Sequence, residues 1–166
     1  MVEQSKPQIQ NWTLRRRLGV GIAMAGLLIF VLGAEPARFG LDLSLSIGFL
    51  QITVFSLGLF AICLGGSVTL GALWPDGERS IAADLGLRVA WTGYVISLVS
   101  GMADIFGLGT RPLGQDVPFF GYWQSRGVLA GELLILLGFL MMIPYHRSAA
   151  VDQPDTEAPP IDLTIE

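Results

Sequence analysis

Apolar residues in this chain fill four long runs separated by short polar stretches, rather than alternating or marking one face of each segment. The runs cover residues 14–33, 45–74, 81–106 and 126–145. Each is about as long as a helix needs to be to cross a ~30 Å hydrocarbon layer. Backbone polar groups in lipid must be satisfied within the segment, so each run is expected to be an α-helix. Local signals mark the ends. Asn11 and Thr13 are placed to cap the first helix and Ser80 the third, while Glu35-Pro36 stops the first helix and Pro75-Asp76-Gly77 forms a turn after the second. At ~1.5 Å per residue the second run is longer than one crossing requires. It must tilt, protrude or break, and Gly65-Gly66 is the expected break point.

The expected fold is therefore an all-α integral membrane protein, four transmembrane helices in an up-down antiparallel bundle. Residues 1–13 form an N-terminal segment, residues 14–147 the membrane domain and residues 148–166 a tail. A competing possibility makes the first run a cleaved signal peptide, with Arg15, Arg16 and Arg17 as its basic end. That run is long for such a peptide, and three more follow.

Composition agrees with a lipid environment. Of 166 residues, 52% are hydrophobic and 14% charged, against about 25% charged in soluble domains. Mean hydropathy is +0.59. The net charge of −4 comes from the tail, where Asp152, Asp155, Glu157, Asp162 and Glu166 accompany Pro154, Pro159 and Pro160. This composition predicts a disordered acidic tail. The rest is nearly neutral and has no basic face for nucleic acid. Basic residues set the orientation. If the N-terminus is cytoplasmic, Lys6, Arg15, Arg16, Arg17, Arg79, Arg88 and Arg147 lie inside and Arg38, Arg111 and Arg126 outside. That distribution favours both termini inside, in a cell inner (plasma) membrane. Trp12, Trp74 and Tyr145 then fall at the inner interface, and Phe119, Phe120, Tyr122 and Trp123 at the outer one.

Glycine is unusually frequent, at 21 residues, and its register points to close helix packing. Gly86, Ala90, Gly93, Ser97 and Gly101 form one narrow stripe on the third helix. Gly19, Ala23, Gly26 and Gly33 do so on the first helix, and Gly127, Gly131 and Gly138 on the fourth.

Three carboxylates fall within the runs, Asp84, Asp104 and Glu132. Helical phase places Asp104 on the third helix's stripe, directed into the bundle near its outer end. Arg111, Arg126 and Gln51 border that layer, and the four together are a candidate polar centre or ion site. Glu132 lies about 130° from the fourth helix's glycine stripe, on a face with Val128, Ile135, Leu136 and Phe139. A mid-membrane carboxylate usually has a partner. Glu132 with Phe139 is thus a candidate contact, with another helix of this chain or with another subunit. Arg88 is expected to reach toward lipid phosphates, with Asp84 one turn away on the same face. The loop of residues 107–127, with Pro112 and Pro118, is expected to lie along the outer interface.

Motif chemistry is sparse. His146 is the single histidine and Cys63 the single cysteine, so neither a bis-histidine haem nor an internal disulfide can form within one chain. No phosphate-binding loop, H-E-x-x-H or G-x-S-x-G occurs. No cofactor is expected, and the expected partners are membrane lipids and other membrane-protein subunits, or a second copy. The sequence is most consistent with a non-enzymatic accessory or scaffolding subunit of a larger membrane complex. The alternative is a small transporter or channel, alone or as an oligomer, using outer-side carboxylates. A lipid- or quinone-binding enzyme would require a cavity between the second and third helices.

Overall fold

A computed structural model describes residues 6–40, 49–74, 79–103 and 121–144. They form α1 (Lys6–Ala34), a single 3-10 turn (Pro36–Phe39), α2 (Phe49–Gly71), α3 (Ile81–Gly101) and α4 (Tyr122–Met142). All four helices contain a stretch long and apolar enough to cross a membrane: Trp12–Ala34, Leu50–Gly71, Ile81–Gly101 and Tyr122–Met142. The described fold is all-helical and fits a multi-pass integral membrane protein. The tail beyond residue 144 lies outside the described residues.

The helix ends follow local chemistry, with four departures from the expected bounds. First, α1 begins at Lys6 and runs through Asn11 and Thr13, which are interior positions and not caps. Pro7 is tolerated because a first-turn residue needs no intrahelical N–H bond. Second, α2 spans 23 residues, or ~35 Å at ~1.5 Å each, which nearly matches one crossing. Third, α3 starts as expected, with the Ser80 hydroxyl accepting from the Ala83 N–H at 3.1 Å, but it stops at Gly101. There Met102 and Ala103 close it with bonds to the Leu98 and Ser100 carbonyls. Fourth, α4 begins one turn early, at Tyr122, where the Gly121 N–H donates to the Gln124 side chain at 2.7 Å, the reciprocal half of a capping box. Its end is sharp because Ile143, preceding Pro144, is extended (φ −73°, ψ 130°).

The helices pair as two antiparallel hairpins. In the first hairpin Gly19 meets Gly65 and Thr69, Gly26 meets Ala61 and Ile62, and Gly33 meets Phe55. The partner numbers fall as the α1 numbers rise. In the second hairpin Gly86 meets Gly138 and Met141, Gly93 meets Gly131 and Ile135, and Ser100 meets Gly127. Backbones touch along both seams: a methyl at Gly86 would lie 2.6 Å from the Gly138 carbonyl oxygen. Without a hydrophobic driving force between helices in lipid, such close packing supplies the attraction. The Ser97 hydroxyl strengthens the second seam by donating to the Val128 carbonyl at 3.0 Å.

Gly65-Gly66 is not a break. The helix continues through both residues, and each serves a different neighbour about 100° apart. Gly65 faces α1, where a methyl would lie 2.6 Å from the Gly19 carbonyl oxygen, and Gly66 faces the ring of Phe139 on α4, 2.5 Å from its Cζ. Two adjacent small residues allow α2 to be packed on two sides at once.

Between hairpins the contact is thinner and runs through α2, which touches both α3 and α4. Leu59, Cys63 and Ile135 form its buried apolar centre, with Phe55, Trp91, Tyr94 and Phe139 around them. Phe60 of α2 packs on Trp91 and Tyr94 of α3, with ring centroids 5.8 and 5.7 Å apart. At one end the Trp74 indole N–H donates to the Met142 carbonyl at 3.1 Å. This bond satisfies one of the carbonyls that the α4 terminus leaves without a helical partner.

Candidate functional site

The small-residue stripe of α3 is where its spacing places it. Gly86, Ala90, Gly93, Ser97 and Gly101 are all buried, with Ala83 one turn earlier. On α4 the buried stripe is Gln124, Val128, Gly131, Ile135, Gly138 and Met142, which is shifted from the expected line through Gly127 and Leu134. Val128 and Ile135, assigned from sequence to the face of Glu132, are buried as well, Ile135 with Leu59 and Cys63 of α2 and Val128 beside the space between the hairpins, while Gly127 and Leu134 still touch α3 at Ser100 and Gly93. The reason is that α4 has two neighbours: α3 meets it along the glycines, and α2 covers the side chains beside them.

This shift re-places Glu132. It stands about 80° from the centre of the buried stripe, half-buried. On one side it adjoins the flank where Phe139 packs on Gly66 of α2. On the other side are the exposed Leu129, Leu133 and Leu136. Because α4 begins at Tyr122, Glu132 is the midpoint of a 21-residue helix and not an outer-side residue. It takes no part in either of the ion pairs found among the described residues.

The candidate polar centre is only partly within the described residues. Asp104 and Arg111 lie outside them. Helical phase put Asp104 on the α3 stripe only if α3 continued to residue 106, and α3 ends at Gly101. Arg126 lies over the Tyr122 ring, 4.4 Å from its centroid, a cation–π contact suited to a membrane interface. Tyr122 and Trp123 beside it are exposed. Gln51, in the first turn of α2, lines a cavity of about 190 Å³ with Gly33, Ala34, Ile52, Phe55, Gly101 and Val128. All four helices contribute to it, at the end of the bundle where α1 and α3 finish and α2 and α4 begin.

The cavity lies between the hairpins and not within either seam. A methyl at Gly86 or Gly93 would collide with α4 backbone at 2.6 or 2.5 Å, whereas one at Gly101 would meet only Ile52 and Val128 side chains at 3.8 Å. Both seams stay tight at this end, where Gly127 meets Ser100 and Gly33 meets Phe55, and the space lies between the two hairpins. Sequence reasoning missed this cavity, since no residue pattern encodes where two hairpins fail to close. It also missed the α2 stripe, although Gly58 and Gly65 are seven residues apart, on one face.

Two surface pairs are present among the described residues, the first as expected. Arg88 and Asp84 approach to 3.0 Å on an exposed face of α3, and Arg38 pairs with Glu35. Among the described residues no three histidine, cysteine, aspartate or glutamate side chains come together as metal ligands would. No protein-family model matches the chain, and no curated protein or solved structure is significantly similar to it.

Proposed function

We propose that the protein is a non-enzymatic accessory or scaffolding subunit of a larger complex in a cell inner membrane, with both termini cytoplasmic. Glu132 carries this proposal. A carboxylate midway along a membrane helix costs roughly 2.5–3.5 kcal/mol on insertion scales unless it is paired. Here it sits at the edge of an exposed leucine face, where a neighbouring chain could reach it with a donor or a cation. The exposed side of α1, including Leu14, Leu18, Met24, Leu27 and Leu28, provides further apolar surface for lipid or a second subunit. Arg15, Arg16, Arg17 and Arg79 all lie toward the end of the bundle that holds Trp74, which supports a cytoplasmic assignment for that end.

Purification in mild detergent from the native membrane, with chemical cross-linking, tests this function. Another membrane chain should co-purify, and Glu132→Gln should deplete it while the protein's own helical content stays the same. Recovery of the protein alone, with and without Glu132, would refute the assignment.

The transporter alternative is favoured by one observation, the Gln51-lined cavity at the seam between two hairpins. It predicts substrate or proton flux in liposomes reconstituted with the protein alone, lost in Asp104→Asn.

A further inference from the structure

We infer that the cavity at the seam between the hairpins binds the oxygen-bearing ring of a lipid-soluble amphiphile of the alkyl-quinone type. The inference is independent of the proposed subunit role. Three properties of the cavity select this class over a bare acyl chain.

The first is size. About 190 Å³ is slightly more than the ~150 Å³ apolar cavity known to hold one benzene ring, and less than the ~300 Å³ at which sites for whole drug-sized ligands begin. One substituted ring fits, with its tail left outside in lipid.

The second is chemistry. Ile52, Phe55 and Val128 supply apolar walls, Phe55 adds an aromatic face, and among the described residues Gln51 is the only lining side chain with hydrogen-bonding atoms. Its carboxamide can donate to a ring carbonyl or accept from a ring hydroxyl. One oriented polar group in an apolar pocket is how small-ligand sites set orientation.

The third is depth. Gly33 lies one residue before the end of α1, Gly101 is the last residue of α3, and Gln51 is the third residue of α2. The cavity is thus near the membrane interface, where the head of an amphiphile resides. The methyl end of an acyl chain lies at the bilayer centre.

The walls also indicate suitable variants. Gly33 is unsuitable because any side chain there would strike the Phe55 backbone. A side chain at Gly101 has free space for its Cβ, so a larger residue there extends into the cavity.

The test is saturable quenching of tryptophan fluorescence by a decyl-substituted benzoquinone, using the full-length protein in lipid nanodiscs at fixed lipid content. The wild type and Gly101→Ala should each show a saturable component above the linear quenching due to partitioning into lipid. Gly101→Leu should abolish that component. Gln51→Leu, which keeps the volume and removes the hydrogen bond, should weaken it up to about tenfold. Ile52→Phe narrows the cavity from the α2 wall and should also abolish it, so the result does not depend on Gly101→Leu folding. Far-UV circular dichroism verifies each variant's helices. Competition separates the ligand classes. Dodecanol, a chain without a ring, should displace the quinone poorly. The inference is overturned if wild type shows no saturable quenching, if quenching persists in both filled variants, or if dodecanol competes as well as the quinone itself.

Discussion

Replacing Gly93 with alanine adds one methyl to α3, and the structure gives its consequence. The new carbon would lie 2.5 Å from the Gly131 carbonyl oxygen and 2.8 Å from both Ile135 N and Leu134 Cβ. Ordinary contact begins near 3.4 Å, so α4 must retreat by about 0.9 Å at this crossing. Two of the three obstructing atoms are backbone, and no rotamer change relieves them. Overpacking of this kind costs about 1–3 kcal/mol. Weakening the Ser97–Val128 hydrogen bond one turn away adds about 0.6 kcal/mol, the mean for interhelical bonds in membranes. Alanine's helix preference over glycine offsets up to about 1 kcal/mol. The net expectation is a loss of about 1–3 kcal/mol. Gly21 on α1 is the control, because a methyl there meets nothing within 4 Å. Gly21→Ala retains only the helix preference and should be neutral or stabilising by up to about 1 kcal/mol. Reversible unfolding by sodium dodecyl sulfate in mixed micelles, followed by circular dichroism, measures both. The packing argument is refuted if Gly93→Ala matches or exceeds wild-type stability, or if Gly21→Ala is equally damaging.

Three further outcomes can be checked with similar material. Ser97→Ala keeps the small side chain and removes the hydroxyl that donates to the Val128 carbonyl, so it should cost about 0.6–1.5 kcal/mol in the same titration. A variant indistinguishable from wild type would mean that this bond contributes nothing. Trp74→Phe removes the indole donor to Met142 while keeping an aromatic ring. It should lower stability by about 0.5–1.5 kcal/mol and reduce cross-linking between cysteines placed on α2 and α4 at that end, whereas unchanged cross-linking would show that the hairpins are held elsewhere. Single cysteines introduced at Ser5 and Ser148, with Cys63 replaced by alanine, should react with an impermeant maleimide only after the membrane is opened. Labelling of either one in sealed cells would reverse the assigned orientation.

The four helices and their class were legible in the chain because lipid leaves few alternatives. A long apolar run in a medium without water must satisfy its own backbone, and the helix does so with purely local bonds. The α3 stripe was legible for a related reason: side-chain direction on a straight helix follows from residue number alone, and Gly86 to Gly101 kept phase throughout. Phase failed where the helix ended or where two neighbours competed. The apolar pattern did not mark the end of α3 at Gly101, and Asp104 lies outside the described residues. Gly65-Gly66 looked like a weak point until α1 and Phe139 were placed on either side of it. The buried face of α4 widened beyond Gly127, Gly131 and Gly138 to include Val128 and Ile135, because α2 packs on α4 beside α3. Glu132 lies at the edge of that α2 contact, beside the exposed Leu129, Leu133 and Leu136. Hydrophobic spacing thus determined which segments span and which residues share a face. The pairing into hairpins, the thin join through α2 and the cavity beside Gln51 depend on how closely distant surfaces approach, and only the tertiary structure decided them.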